Sequence, residues 1–212
     1  TQSCREALDA AYRTEHEGAA KFALGKLIEN SNVARDMGMP VCQDTGMAVV
    51  LLEIGNEVFF EGRLLEEAVN NGVRRAYADG YFRKSVCDPI TRKNTADNTP
   101  AAIHTEIVRG NKVRLTFMPK GFGSENMSAL YMLKPAQGTE GIISAIVSTV
   151  ERAGSRPCPP VYVGVGIGGT FDGCAFLAKK ALTRDIGTHS DREDIANIER
   201  EALKRINELD IG

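Results

Sequence analysis

Residues 47–54 read Met-Ala-Val-Val-Leu-Leu-Glu-Ile, a run of seven apolar residues interrupted by one glutamate. The run is too short for a long helix and is rich in Val and Leu, which predicts a buried β-strand. Gly55 and Asn56 follow at once and are typical of the turn that ends a strand. The fold is therefore expected to contain one strand that lies inside the core.

Apolar residues recur at helical spacing on both sides of this strand. Before it, the pattern from Arg5 to Arg35 predicts two helices that end near Gly38 and Pro40. After it, helices are predicted over residues 64–77, 138–153, 171–182 and 195–209.

Shorter segments predict further strands. Residues 101–108 and 112–118 alternate apolar and polar side chains around Arg109-Gly110-Asn111, which favours a hairpin. Residues 161–167 have the pattern of another strand. We therefore expect an α/β fold of mixed α and β, with helices packed around a small mixed sheet containing a hairpin.

The composition is that of an ordinary globular chain, with 212 residues, 42% hydrophobic, 25% charged and a net charge of -2. This length supports one sizeable core, so a single domain over residues 1–212 is the expectation. The chain opens inside a helical pattern without Met and closes just after another helix, which indicates truncation at both ends.

Charge and hydropathy argue against two kinds of partner. The near-neutral balance offers no basic face for nucleic acid, and no stretch approaches the roughly 20 apolar residues that a membrane helix needs. The five cysteines are odd in number and widely spaced, in a chain too large to need disulfides, which indicates a reducing compartment. We expect a soluble protein of the cytoplasm or of an organellar matrix.

Two cysteines lie in segments that are equipped for chemistry. Residues 40–46 (Pro-Val-Cys-Gln-Asp-Thr-Gly) place a thiol, a carboxamide, a carboxylate and a hydroxyl on one short turn. Cys158 stands between Pro157 and two further prolines, which fix the backbone around its thiol. Thiolates on separate loops typically gather around a metal, and spacing alone leaves iron–sulfur and zinc both open. An inert cysteine is the alternative for either segment.

Residues 164–169 (Gly-Val-Gly-Ile-Gly-Gly) satisfy the dinucleotide fingerprint G-x-G-x-x-G, which keeps a nicotinamide-binding oxidoreductase as an alternative. The fingerprint also calls for a second strand that ends in an acidic residue, whereas Asp185 follows the helix directly. We favour tight packing or an anion-tolerant helix N-terminus for these glycines.

Cations and amides cluster in the middle of the chain. Residues 83–85 (Arg-Lys-Ser) and 92–95 (Arg-Lys-Asn-Thr) are suited to holding carboxylates through charge-assisted hydrogen bonds, with a solvated surface as the alternative. Residues 120–126 (Lys-Gly-Phe-Gly-Ser-Glu-Asn) form a glycine-flanked polar loop without the Lys-Ser/Thr ending of a phosphate loop.

Taken in order, five segments resemble the N-terminal iron–sulfur domain of class I fumarate hydratases: residues 40–46, 83–85, 94–100 (NTADNTP), 120–130 (KGFGSENMSAL) and 158–171 (CPPVYVGVGIGGTF). The resemblance covers nearly the whole chain. It implies a hydro-lyase of the tricarboxylic acid cycle that hydrates fumarate reversibly to (S)-malate. It further implies a 4Fe-4S cluster whose open iron acts as a Lewis acid.

The resemblance also implies roles for individual residues. Cys42 and Cys158 match two of the three cysteines that hold the cluster, and the third lies beyond the equivalent of Gly212. The resemblance implies that Asp44 takes part in substrate handling or proton transfer. It also implies that Gln43, Asp44 and Arg83 bind the substrate. A metal-polarised water, an acid/base carboxylate and a cation are also what hydration of a dicarboxylate requires on chemical grounds.

The remainder of the active site is implied to belong to a C-terminal domain or a separate beta subunit, so a homo- or hetero-oligomer is expected. L-tartrate dehydratase alpha subunits are similar around residues 40–46 and the Cys-Pro-Pro segment, which keeps tartrate as an alternative substrate. The loop at residues 120–126 favours fumarate.

Overall fold

The computed structural model describes residues 1–211, and Gly212, the last residue of the predicted domain, lies outside them. The described residues form seven α-helices and three β-strands, so the predicted α/β class is confirmed. The helices are α1 (Gln2–Thr14), α2 (Gly18–Met37), α3 (Leu65–Asp79), α4 (Phe122–Glu125), α5 (Gly138–Ala153), α6 (Phe171–Ala181) and α7 (Glu193–Asn207). The strands are β1 (Met47–Gly55), β2 (Ala102–Val108) and β3 (Val113–Lys120).

The chain divides into two compact units. The sheet unit is Asn30–Phe122 and holds all three strands and α3. The helical unit consists of Thr1–Glu29 together with the chain from Gly123 onward. The prediction of a single domain stays a prediction.

In the sheet, β1 lies in the middle, with strand order β2-β1-β3. Strand β2 runs parallel to β1 and pairs Ile103 with Val50, whereas β3 runs antiparallel and pairs Phe117 with Val50. The predicted hairpin is therefore wrong, because β2 and β3 are consecutive but lie on opposite edges of β1. The more apolar β1 takes the central position, where both of its edges are paired, and the two alternating segments become edge strands.

The connection from β2 to β3 passes over the end of β1 and is hydrogen-bonded to it. Gly55 N–H donates to the Lys112 carbonyl at 2.9 Å, and Glu57 N–H donates to the Gly110 carbonyl at 3.0 Å. A Cβ atom on Gly55 would lie 2.2 Å from the Gly110 oxygen, so only glycine allows this crossing.

Helix α3 covers one face of the sheet and brings its C-terminal half to the start of β1. Along β1, the buried side chains of Val50, Leu52 and Ile54 have Leu65 and Val69 of α3 packed against them. At the start of the strand, buried Ala48 packs with two residues of α3, Val73 and Tyr77. The segment that enters β1 therefore lies next to buried core residues of α3.

The core of the helical unit lies between α5 and α7. Their buried contacts are aliphatic and come from Ile143, Ile146, Ile198 and Ala202. Apolar residues spaced three to four apart explain why the periodic pattern predicted both helices.

Residues 161–167 contain no strand, so that prediction is wrong. A Cβ atom on Gly164 would lie 2.3 Å from the Ala178 carbonyl, and one on Gly166 would lie 2.1 Å from the Cys174 carbonyl. These glycines let the segment lie directly against α6, which confirms tight packing as their role. The dinucleotide fingerprint loses the strand that should precede it.

No helix among residues 1–211 is both long and apolar enough to cross a bilayer.

Candidate active site

The segment that enters β1, residues 40–46, is named the cysteine loop here. It follows the end of α2, where Gly38 adopts a left-handed φ of 63° and the N–H of Met39 returns to the Ala34 carbonyl at 2.8 Å. Glycine tolerates this conformation, so α2 stops there and the chain turns towards the sheet.

Within the cysteine loop, the Asp44 carboxylate is held by local hydrogen bonds. Gly46 N–H donates to Asp44 Oδ1 at 3.1 Å, and Asp44 N–H donates to Cys42 Sγ at 3.4 Å. Cys42 is an exposed free thiol and Asp44 is half-buried. The loop therefore presents a thiol and a carboxylate side by side from one short turn.

Thr45 anchors the cysteine loop in the sheet unit. Its side chain is buried, and its hydroxyl donates to the Arg83 carbonyl at 3.1 Å. The Tyr77 hydroxyl donates to the Thr45 carbonyl at 2.8 Å. Burial raises the pKa of the Tyr77 phenol, and the nearby Asp44 charge acts in the same direction. Tyr77 therefore remains a protonated donor.

The end of β3 packs directly on the same loop. A Cβ atom on Gly46, whose φ is 51°, would lie 2.0 Å from the Lys120 carbonyl oxygen. A Cβ atom on Gly121 would lie 2.8 Å from Asp44 Oδ2. The Lys120-Gly121 backbone therefore lies beside the carboxylate, which places the start of the predicted polar loop at the site.

Arg83 lies on a segment, residues 83–86, that is named the arginine segment here. Its carbonyl is tied to Thr45, while its side chain is exposed and makes no ion pair within residues 1–211. The backbone of Arg83 is thus fixed next to the cysteine loop and its guanidinium is open to solvent. A guanidinium in this state can bind an incoming carboxylate.

Gln43 is exposed at the tip of the cysteine loop. Its carbonyl accepts from Thr45 N–H at 3.1 Å, which fixes the backbone of Gln43. The structure therefore brings Cys42, Gln43 and Asp44 together on one loop and ties that loop to Arg83.

Asn98 joins the two segments and was not singled out by sequence reasoning. It is 0% exposed, and its carboxamide contacts Gly46 of the cysteine loop and two residues of the arginine segment. The motif at residues 94–100 marked the neighbourhood, but no sequence pattern states which asparagine turns inward. Tyr77 was also missed, because its helical pattern of apolar neighbours made it resemble an ordinary core residue.

Cys158 belongs to the helical unit. It is an exposed free thiol with a φ of 60°, and its N–H donates to the Ser155 carbonyl at 3.1 Å. A left-handed φ is uncommon for a residue other than glycine, and such residues concentrate at functional sites. That Cys42 and Cys158 bind one cluster stays a prediction, because the two thiols belong to different units.

The donor chemistry of these thiols suits an iron–sulfur cluster in part. Both are exposed, soft sulfur donors on short loops, which is the ligand type that such clusters use. Among residues 1–211, no three His, Cys, Asp or Glu side chains gather as a metal site. The described residues therefore supply sulfur donors of the right type but not a complete ligand set.

Asp97 stabilises the loop that carries Asn98. Its carboxylate accepts from the Thr99 hydroxyl at 2.7 Å, from Arg74 Nε at 2.8 Å and from Thr99 N–H at 3.0 Å. These hydrogen bonds lower the pKa of Asp97 from 3.8 to about 2. A lowered carboxylate pKa means that the ionised form favours the folded state.

Asp97→Asn is therefore expected to lower the free energy of unfolding at neutral pH by about 1 kcal/mol, a value reduced for the partial exposure of the pair. The carboxylate contributes fully above about pH 4 and loses its contribution as the pH falls towards about 2. Urea unfolding of both proteins from about pH 7 to about pH 3 should show the gap narrowing. A gap that stays constant over this range would contradict the assignment.

A family model described as Fumarate hydratase (Fumerase) matches residues 1–212. A Methanocaldococcus jannaschii protein named "Putative L(+)-tartrate dehydratase subunit alpha" is 41% identical over 217 residues, which cover 100% of this chain and 76% of the relative. The "L(+)-tartrate dehydratase subunit alpha" of Escherichia coli strain K12 is 27% identical, over 92% of this chain and 67% of the relative. A Geobacillus stearothermophilus protein named "Putative fumarate hydratase class I" is also 27% identical, over 98% of this chain and 42% of the relative.

Proposed function

Because the chain belongs to the fumarate hydratase (Fumerase) family, we propose that it is the alpha-type part of a hydro-lyase acting on a four-carbon dicarboxylate. The observation that carries the proposal is the shared anchoring of Asp44 and Arg83. Thr45 follows Asp44 in the cysteine loop, and its hydroxyl donates to the main-chain carbonyl of Arg83 at 3.1 Å, so the backbone that carries the carboxylate is joined to the backbone that carries the guanidinium. The first candidate reaction is the reversible hydration of fumarate to (S)-malate.

Asp44 is the acid/base residue of this proposal. Addition of water to a double bond, or its removal, requires a group that gives and takes a proton at a fixed position. The Gly46 N–H holds Oδ1 of Asp44, and the Lys120-Gly121 backbone lies next to Oδ2. This arrangement limits the rotation of the carboxylate and leaves its half-exposed side for the substrate.

Arg83 and Gln43 bind and orient the substrate. A guanidinium offers parallel N–H donors that match a carboxylate, so Arg83 is suited to one end of the dicarboxylate. The exposed carboxamide of Gln43 supplies a neutral donor and acceptor on the same loop. Orienting the substrate in this way lowers the entropic part of the reaction barrier.

Cys42 and Cys158 would hold the 4Fe-4S cluster, which supplies Lewis-acid polarisation of the hydroxyl or water that is exchanged. Their exposure and free thiol state support this role. The third ligand is assigned to residues outside this chain.

Cys42→Ser and Cys158→Ser should each abolish the visible absorbance of the cluster in the full-length protein, which is checked by iron and sulfide content. Retention of a full cluster in both variants would contradict the ligand assignment.

The partner in this proposal is a beta subunit or a C-terminal domain that completes the active site. The E. coli relative is named as a subunit alpha, which supports a two-part enzyme. The free cysteines support a reducing compartment, and we assign the enzyme to the cytoplasm.

Dehydration of L-tartrate is the second candidate reaction. It is favoured by the 41% identity to the M. jannaschii relative, which is named as a putative tartrate dehydratase subunit, against 27% identity to the relative named as a putative fumarate hydratase. The test is turnover of the two substrates by the full-length chain with its partner, loaded anaerobically with iron and sulfide. Turnover of fumarate and malate supports the first candidate, and turnover of tartrate alone supports the second.

Arg83→Lys is expected to raise the KM for the dicarboxylate by about tenfold while changing kcat less. Lysine keeps the positive charge but loses the planar pair of donors that a carboxylate accepts. Initial rates over a range of substrate concentration provide the measurement, and Arg75→Lys, on the exposed surface of α3, is the matched control. An unchanged KM would remove Arg83 from the binding site.

A further inference from the structure

Asn98 uses both ends of its carboxamide to join two backbone segments. Its Nδ2 donates to the Gly46 carbonyl at 2.9 Å, and its Oδ1 accepts from Ser85 N–H at 2.7 Å and Val86 N–H at 3.0 Å. The residue is 0% exposed and has a φ of 63°, a conformation that asparagine tolerates better than most residues. The donor and acceptor ends are unambiguous, because the reverse orientation would face the amide nitrogen towards two N–H groups.

These contacts bear on the two residues that the proposed function uses. Gly46 connects Asn98 to Asp44, because its carbonyl accepts from the Asn98 carboxamide and its N–H donates to the Asp44 carboxylate. Ser85 and Val86 follow Arg83 by only two and three positions, so fixing their N–H groups fixes the backbone that carries the guanidinium. Asn98 therefore holds both the backbone next to Asp44 and the backbone that follows Arg83.

We propose that Asn98 is a positioning residue for the reaction, which sets the distance and direction between the Asp44 carboxylate and the Arg83 guanidinium. The inference rests on the proposed function. It extends that function to a buried side chain, which acts through the backbone of the cysteine loop and of the arginine segment. Because a shift of about 1 Å in a reacting group can lower a rate by about 10²-fold, a loosened joint between the two segments should appear in catalysis.

The remaining links between the two segments cannot replace this one. Thr45 donates to the Arg83 carbonyl, but this bond does not provide an acceptor for the N–H groups of Ser85 and Val86. Tyr77 holds the Thr45 carbonyl to α3 and does not contact the arginine segment. Without the carboxamide, the N–H groups of Ser85 and Val86 would lose their acceptor, and the Gly46 carbonyl would keep only the longer contact from the Tyr77 hydroxyl, at 3.5 Å. Leaving a buried N–H without an acceptor costs more than an ordinary hydrogen bond contributes.

Asn98→Asp provides a test with a pH signature. The introduced carboxylate can still accept from Ser85 and Val86, but it cannot donate to the Gly46 carbonyl and repels it. Once protonated, the same group regains a donor and an acceptor, as the carboxamide has, and its burial favours the protonated form as the pH falls. Asn98→Ala removes all three hydrogen bonds and has nothing to protonate.

The experiment measures kcat and KM on fumarate and on L-tartrate for the full-length chain with its partner, at equal cluster content, from about pH 8 to about pH 6. At about pH 8 both variants should lose about 10²-fold in kcat/KM, with KM rising and kcat falling. Towards about pH 6, Asn98→Asp should recover about tenfold relative to the wild type at the same pH, whereas Asn98→Ala should not.

Asn70 provides the matched control. It is a partly buried asparagine of the same unit whose Oδ1 accepts from Ala101 N–H at 2.8 Å, away from the cysteine loop. Asn70→Asp and Asn70→Ala should keep kcat/KM within about twofold and show the pH profile of the wild type. If Asn98→Ala fails to fold, Asn98→Asp carries the test alone, because it retains both acceptor contacts.

The outcomes separate this inference from the proposed function. A wild-type protein that turns over neither substrate overturns the proposed function. A wild-type protein that is active, with an Asn98→Asp variant of unchanged KM and a parallel pH profile, overturns the positioning role alone. Equal losses in the Asn70 and Asn98 variants would also overturn it, because they would reflect general destabilisation.

Discussion

Asp44→Asn is expected to lower kcat by about 10²- to 10⁴-fold, the range associated with loss of a general acid/base group. Asparagine keeps an oxygen that can accept from Gly46 N–H, so the cysteine loop should retain its conformation. What the variant loses is the ability to take up and release a proton. Steady-state rates on the preferred substrate, compared at equal cluster content, provide the measurement.

The control for this prediction is Asp79→Asn, which removes the same charge from an exposed position at the end of α3. It should leave kcat within about twofold of the wild type, and both variants should unfold at similar urea concentrations. If Asp44→Asn keeps more than about half of the wild-type kcat, Asp44 does not transfer the proton, and the acid/base group must come from the partner.

Gly46→Ala is expected to destabilise the chain by about 4 kcal/mol or more, which is an exceptional value for one methyl group. Two effects add together. The left-handed φ of 51° costs an L-residue about 1–2 kcal/mol, and the new Cβ atom would stand 2.0 Å from the Lys120 carbonyl oxygen. The backbone at the end of β3 would have to move, and Asp44 would move with it. Urea unfolding followed by circular dichroism gives the free energy directly.

Gly38→Ala separates the two contributions. Gly38 has a similar φ of 63°, but nothing lies within 4 Å of the Cβ position. This variant should therefore lose only about 1–2 kcal/mol from the backbone term. Equal losses for the two variants would contradict the close approach of β3 to the cysteine loop.

The helices and β1 could be predicted because their signal is local. A run of apolar residues or a spacing of three to four is visible in one stretch of sequence, and burial follows from it. The hairpin prediction failed because a short connection with a glycine looks alike whether the two strands pair or enclose a third. Nothing in residues 101–118 indicates that β1 lies between β2 and β3.

The prediction of a strand at residues 161–167 failed for a different physical reason. Its apolar residues alternate with glycines at 164 and 166, and these glycines allow α6 to approach the backbone closely. A strand needs a neighbouring strand for its hydrogen bonds, and this segment lies against a helix instead.

The residues that carry the chemistry of the site could be predicted from the sequence, but the residues that hold them in place could not. Cys42, Gln43, Asp44 and Arg83 were identified from residue types and from the family resemblance, and the structure brings the cysteine loop and the arginine segment together. Asn98 and Tyr77 hold that arrangement through contacts over 52 and 32 residues, which no local pattern reveals. The pairing of Cys42 with Cys158 stays a prediction.

The most direct test of the central claim is turnover by the full-length chain with its partner, after anaerobic loading with iron and sulfide. The loss of ultraviolet absorbance from fumarate, and its return from malate, reports hydration and dehydration, while product analysis reports dehydration of L-tartrate. We expect turnover of one of these substrates, lost in the Asp44→Asn variant at equal cluster content. A fully loaded complex that is inactive on both fumarate and tartrate would contradict the assignment of this chain as a dicarboxylate hydro-lyase.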